Sequence, residues 1–423
     1  MTAPEKPEKQ DRPRGGQWTR RGVLAGLLGA PVLFVAACNQ DKGGSAASGG
    51  PTDSAATPGA STSPKASVAK ITISPADGTT DAPFGQPVKV TVANGRISSV
   101  VLADEAGTPI PGQPTPDGSG WTSTGPLLSG TKYTVAVAAL DKDGREADAN
   151  ASFATATPAS TFVGYFTPEN GSTVGVGMPV SIRFNKAIAN RRAVQEAITV
   201  VADPGVEIVG HWYSSTRLDF RPEQYWAAGT RVTLQLRLKD VEGVRGVYGI
   251  QSKDVTFTVG RSQTSVADLT AHTLTVTTDG GVSAVYPIIG GAPDHRTWGG
   301  KLVISEQFKQ TKMDSATVGL GDEYNIPDVP HAQRLTASGT FIHGNYWSPP
   351  SQFGKANTSH GCIALRDVQG GDDPRTDAAK FYNSSLIGDV VEVVNSGDRQ
   401  VDPANGLSDW NMTWAQWRAG SAI

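Results

Sequence analysis

Near the C-terminal end of the chain the run Ser359-His360-Gly361-Cys362 sets a cysteine beside a histidine, and His343-Gly344 places a second histidine nineteen positions before that cysteine. The thiolate, not the thiol, attacks carbonyl carbon, and an ordinary cysteine with a pKa of about 8.5 is mostly protonated near neutrality. A neighbouring imidazole can take that proton. Cys362 is therefore a candidate nucleophile, with His343 and His360 as candidate bases. A zinc site is disfavoured: His343, His360 and Cys362 lack a fourth ligand spaced on a hairpin or helix, and His211, His272, His295 and His331 stand alone. Neither a metal nor another cofactor is expected.

The chain holds two cysteines, and the other one has its own explanation. Arg20 and Arg21 precede an apolar run from Val23 to Ala37 that ends Val35-Ala36-Ala37-Cys38. Basic region, apolar region, small residues and cleavage point follow in the order of an export signal. The apolar run is shorter than the roughly 20 residues of a membrane span. Residues 1–38 read as a signal peptide. Residues 39–67 are Gly, Ser, Ala, Thr and Pro with almost no large apolar side chains, a composition that gives a flexible tether.

The elements that must position Cys362 are mostly strands. Forty-nine glycines and 28 prolines, with few long helical patterns, favour strands and turns. A formal net charge of −3 with scattered lysines and arginines offers no basic stripe for nucleic acid. Two blocks share landmarks: Pro75 to Gly78 leads to Gly85-Gln86-Pro87-Val88 as Pro168 to Gly171 leads to Gly177-Met178-Pro179-Val180. Their ends also match, Gly130 to Val135 answering Gly229 to Leu234. A duplicated module of this size and strand pattern suits an immunoglobulin-like β-sandwich. We assign residues 68–157 and 158–261 to two such modules, 262–395 to a β-rich domain and 396–423 to a C-terminal tail. Trp212, Tyr213, Tyr225 and Trp226 enrich the second module in aromatics, for core packing or for docking the next domain.

In the third block, His272 to Ile289 reads as a hairpin turning at Asp279-Gly280-Gly281. Further strands are expected at 301–305, 339–343 and 389–394, with a short helix near 376–382. Trp410, Trp414 and Trp417 fall at helical spacing with Ser408 placed to cap. That tail is expected to dock on the protein itself.

The segment Arg334 to Gly344, the fourteen residues that follow and Ser359-His360-Gly361-Cys362 resemble the signature of the YkuD-type L,D-transpeptidases. The resemblance extends to Asn357-Thr358, to Gly388 through Val394, and to Asp409-Trp410-Asn411 and Trp417 through Gly420. Val35-Ala36-Ala37-Cys38 resembles a lipobox, which implies a lipid on Cys38 and anchoring to the outer face of the cytoplasmic membrane. The family pattern implies Cys362 as nucleophile and His343 as base, with the Gly344 carbonyl orienting the imidazole. Backbone amides of Gly361 and Cys362 would face the oxyanion, and His360 would shape their loop. Tyr324, Met313 and Trp347 would contact substrate or wall its groove, with Ser359 and Asn357 as further contacts. The implied reaction is acyl transfer between peptidoglycan stem peptides, releasing D-alanine and making 3→3 cross-links, with carbapenems as inhibitors. Water as acceptor would make it a carboxypeptidase, and a chain without turnover would be a wall-binding lipoprotein. Ala364 stands where the family usually has asparagine or arginine, and Arg366 is the candidate substitute.

Overall fold

The computed structural model describes residues 65–319 and 321–423. Cys38, the signal segment and most of the tether lie outside the described residues. The first sandwich pairs a sheet ordered Lys70–Ser74, Lys89–Ala93, Gly120–Ser123, Gly112–Pro114 with one ordered Gly95–Asp104, Lys132–Asp141, Glu146–Ala154. Lys132–Asp141 alternates exposed and buried residues along its length, as the two-residue period of a half-buried strand requires. Val90, Leu102, Trp121, Tyr133, Val135 and Phe153 fill the space between the sheets.

The second sandwich sets Thr173–Val174, Ser252–Val259, Arg231–Arg237 and Ile198–Asp203 against Val209–Ser214, Arg217–Arg221, Val180–Phe184 and Gly164–Thr167. Its core does not stop at its own boundary. Val303, Val390, Leu407 and Trp410, from far later in the chain, belong to the same buried cluster as Ile182, Leu218, Trp226 and Phe257.

The C-terminal region is one nine-stranded mixed sheet. Its order is Gly300–Val303, Val390–Val394, Gln263–Asp268, Thr273–Thr278, Gly281–Ile289, Ile363–Arg366, Phe341–Asn345, Asn325–Arg334, Glu306–Asp314. The expected hairpin forms, with Asp279 and Gly280 both at positive φ (50° and 85°), the conformation a tight hairpin turn demands. Phe341–Asn345 and Ile363–Arg366 pair in parallel. Parallel neighbours need a crossover of a dozen or more residues, which explains the long spacing between His343 and Cys362. The helix Asp377–Ser384, capped by the Thr376 hydroxyl, packs under these strands.

The tail departs from the expected helix. Ser408 makes no capping bond; Asp409–Asn411 forms a 3-10 turn and a separate α-helix spans Trp414–Ala419. Thr413 caps that helix in a reciprocal box with Gln416, satisfying amides that a Ser408 start would leave open. The tail docks on the second sandwich: Trp417 is fully buried, donates to the Val209 carbonyl at 2.9 Å and stacks on His211.

Candidate active site

The parallel ladder puts His343 opposite Ala364 and Ile342 opposite Ile363. Side chains alternate along a strand, so His343, Ala364 and Cys362, two residues before Ala364, share one face. That face opens on a cavity of about 240 Å³ whose lining includes Cys362, His343, Tyr324, Met313, Trp347 and Ser359.

His343 is buried, and its Nδ1 lies 2.9 Å from the Gly344 carbonyl. A carbonyl oxygen only accepts, so Nδ1 carries the proton and Nε2 is left as the base. The same glycine is sterically required: a Cβ on Gly344 would overlap the Asp367 carboxyl. Asp367 is itself held by the His331 ring at 2.7 Å and the Thr376 hydroxyl at 2.9 Å. A buried polar pair thus backs the strand that carries the base.

The Cys362 Sγ receives the Phe341 N–H at 3.4 Å and points its S–H toward the Gly339 carbonyl at 3.7 Å. Burial pushes the thiol up to about 11, although the Phe341 N–H pulls the other way. Burial also pushes His343 down, against the Gly344 hydrogen bond and the Asp367 charge. The resting pair is therefore neutral thiol and neutral imidazole near pH 7, and the proton must move as attack proceeds.

The loop before Cys362 is closed by Ser359, whose hydroxyl donates to the Cys362 carbonyl at 2.5 Å and accepts the Gly361 N–H at 3.3 Å. Gly361 sits at φ 108°, where a side chain would be strained. Among the described residues the Cys362 N–H has no acceptor, while that of Gly361 is engaged by Ser359. Burial and the neighbouring Cys362 push the Tyr324 phenol up to about 12, so it remains a donor. Trp347 stacks on the His343 ring with centroids 5.8 Å apart.

A buried structural cysteine beside a histidine could share some of these features, and similarity to known proteins decides the matter. Residues 79–242 match the model of a bacterial Ig domain and residues 262–393 that of the L,D-transpeptidase catalytic domain. Over 360 residues the chain is 35% identical to L,D-transpeptidase 2 of Mycobacterium tuberculosis (strain CDC 1551 / Oshkosh), covering 84% of this chain and 85% of that protein. The chain belongs to the L,D-transpeptidase family. It is also 32% identical over 362 residues to L,D-transpeptidase 5 of M. tuberculosis (strain ATCC 25618 / H37Rv), covering 84% of this chain and 77% of the relative. A solved structure of M. tuberculosis L,D-transpeptidase 3 in complex with a faropenem-derived adduct is similar at 28% identity and a TM-score of 0.44, covering 54% of this chain and 96% of that one.

Within this L,D-transpeptidase domain the structure brings most of the expected residues together, but not all. Asn357 is turned away from the cavity: it accepts the Gly290 N–H, donates to the Leu269 carbonyl and meets His272. Its chemistry is consumed in tying the catalytic loop to the first hairpin. Arg366 is exposed at the strand end and does not line the cavity, so it does not replace the missing side chain at Ala364. Ala364 packs instead with Ile289 and Phe353, making an apolar wall. Nor do His211, His272, His295 and His331 stand alone, since the fold supplies each with a partner. Asn345, which also lines the cavity, escaped the sequence reading although strand alternation from His343 points to it. Its carboxamide accepts the Trp347 and Ser348 N–H groups, fixing the start of the crossover.

Proposed function

We propose that this L,D-transpeptidase acts on peptidoglycan, forming 3→3 cross-links through a thioester on Cys362. The observation that carries the reading is a histidine with Nδ1 committed to the Gly344 carbonyl, on the same sheet face and cavity as the thiol. In the first half, Nε2 of His343 takes the Sγ proton as Sγ attacks the carbonyl carbon of stem residue three. The tetrahedral oxyanion is met by the Cys362 N–H and the Tyr324 hydroxyl, donors of a kind that each contribute about 2.7–4 kcal/mol. Collapse breaks the peptide bond, and the imidazolium returns the proton to the departing D-alanine amine. In the second half, a side-chain amine of another stem attacks the thioester. His343 takes the surplus proton, the new amide forms and Sγ leaves and is reprotonated. The strained ring carbonyl of a carbapenem offers the same thiol an acyl group that is slow to leave.

The proposed setting is outside the cytoplasmic membrane, with Cys38 lipidated after export; support comes from the order of Arg20-Arg21, the apolar run and Val35-Ala36-Ala37-Cys38. Incubation with disaccharide-tetrapeptide, followed by mass spectrometry, should give free D-alanine and cross-linked dimers, and Cys362→Ala should give neither. Tripeptide without dimer makes the enzyme a carboxypeptidase. No product from intact protein, together with no carbapenem adduct on Cys362, sinks the reading. A Cys38→Ser chain that still fractionates with membranes sinks the anchoring part alone.

A further inference from the structure

Beside the thiol, and outside the acyl-transfer steps, three side chains from distant parts of the chain converge. His295 lies in the loop after the first hairpin, Glu323 in the arch between the strands Glu306–Asp314 and Asn325–Arg334, and His360 in the catalytic loop. Backbone bonds hold two of these segments together: Ser359 donates to the Gly290 carbonyl at 2.9 Å and accepts from Ala292 at 2.8 Å, which sets His360 against His295 with ring centroids 5.2 Å apart. The arch is clasped from within by Ser315, whose hydroxyl bonds the Tyr324 backbone on both sides. This places Glu323 over both imidazoles, one carboxylate oxygen lying 3.4 Å from Nε2 of His295 and 3.4 Å from Nε2 of His360.

The geometry points to a divalent transition-metal site, of the zinc class, formed by His295, Glu323 and His360, whose occupation pins the Tyr324 arch to the catalytic loop. Two imidazoles and one carboxylate with an open fourth position form a donor set that suits zinc. Bonds of about 2.0–2.1 Å in a tetrahedron require ligand atoms roughly 3.3–3.4 Å apart. Both carboxylate edges already have that length, and all three ligand atoms lie within 4.8 Å of one another. The remaining edge, imidazole to imidazole, is no longer than 4.8 Å. The three side chains are partly exposed, so an ion can reach them from solvent. Asp294 adds a second carboxylate 3.9 Å from His295, raising the local negative charge that attracts a cation. Tyr324 follows Glu323 directly and its ring lies 5.1 Å from that of His360. A bound ion would therefore hold the phenol in place beside the thiol and resist the arch lifting to admit a stem peptide.

The activity part of this inference rests on the peptidoglycan reading, whereas the binding part does not. Zinc chloride titrated into the metal-free full chain, followed by calorimetry, should show one ion bound per chain. His295→Ala and Glu323→Gln should each weaken binding by more than about tenfold, as loss of a direct ligand exceeds the tenfold or greater effect of outer-shell changes. Cys362→Ala should bind as the parent does. Circular dichroism of the metal-free variants separates loss of a ligand from loss of the fold. Zinc should slow D-alanine release by the parent and leave His295→Ala unaffected. Absence of binding, or binding that survives in His295→Ala but vanishes in Cys362→Ala, overturns the site. Tight binding with undiminished D-alanine release overturns the pinning. A chain with no turnover on any stem peptide refutes the peptidoglycan reading while the calorimetric result still decides the site.

Discussion

Where the first sandwich meets the second, Phe84 and Tyr248 touch edge to face with centroids 4.9 Å apart, and Ser129 donates to the Asp240 carboxylate at 2.9 Å. That is the one hydrogen bond across this seam among the described residues. Where the second sandwich meets the catalytic sheet, Gly175 and Gly177 donate to the carbonyls of Ile387 and Gly388 at 2.8 and 2.9 Å, and Trp410 donates to Gly177 at 2.7 Å. Arg217 reaches the carbonyls of Ala404 and Gly406, and the guanidinium of Arg221 lies over the rings of Trp410, Trp414 and Trp417. The apolar core runs through this second seam without a break. Two modules of one plan thus serve two purposes: the first is an attached unit, and the second is part of the enzyme's own body. Matched landmarks show the difference in packing. Gly85 has open space around its Cα at φ +76°, whereas a Cβ on its counterpart Gly177 would overlap Val390.

The strongest way to break this comparison is truncation. Removal of residues 65–157 should leave a chain that folds and melts cooperatively, because a single hydrogen bond and one ring contact are lost. Removal of residues 65–261 would strip Val303, Val390, Leu407 and Trp410 of their cover, and the remainder should aggregate or lose its near-ultraviolet dichroism. Equal behaviour of the two truncations would refute the distinction. At the level of single residues, Trp410→Ala should cost about 3–5 kcal/mol, the usual range for a large buried aromatic. Phe84→Ala removes an edge-to-face partner and should cost about 0.5–1.5 kcal/mol. Denaturant melts of the two variants measure the difference directly.

What the sequence let one read, and what it hid, follows from how far each feature depends on distant chain. The Asp279-Gly280 hairpin, the helix near 376–382 and the alternating strands depend on local pattern, and they were legible. His343 and Cys362 were legible because the signature spans a crossover whose length the parallel pairing imposes. The approach of His295 to His360 was not, since it is made by ladder bonds from Gly290 and Ala292 that no spacing announces. The partners of Asn357 were hidden for the same reason: a residue next to the signature reads as a substrate contact, and its bonds to the Leu269 carbonyl and the Gly290 N–H come from chain that no spacing announces. Tyr213 and Tyr225 illustrate a mixed case. Aromatic content suggested either core or docking, and the structure divides them, Trp212 and Trp226 lying in the core while Tyr225 packs on Trp410 and Tyr213 bonds Asp409.

The smallest effect that sharpens the comparison lies in the charges of the second seam. Asp409 is fully buried between the Tyr213 hydroxyl at 3.1 Å and the Arg217 guanidinium at 3.5 Å, with Asp219 close by. Burial, reinforced by the Asp219 charge, pushes its carboxyl well above the ordinary range despite Arg217. Burial also pushes Asp389 upward, against its Arg261 partner. A carboxyl whose value is raised in the folded state holds its proton longer there than in the unfolded chain, so stability falls as pH rises between the two values. The contribution is complete below the ordinary aspartate pKa of about 3.9 and is lost as pH climbs through the raised one. Asp409→Asn keeps an acceptor for Tyr213 and removes the titration. The variant should gain on the parent as pH rises above the ordinary aspartate value of about 3.9, by at most about 1.4 kcal/mol per pH unit for one group, while a residual slope from Asp389 persists in both. Phe84→Ala should show no such divergence. A stability difference between Asp409→Asn and the parent that stays constant with pH, or narrows in the parent's favour, would mean that the second seam is held by a carboxylate and not by its protonated form.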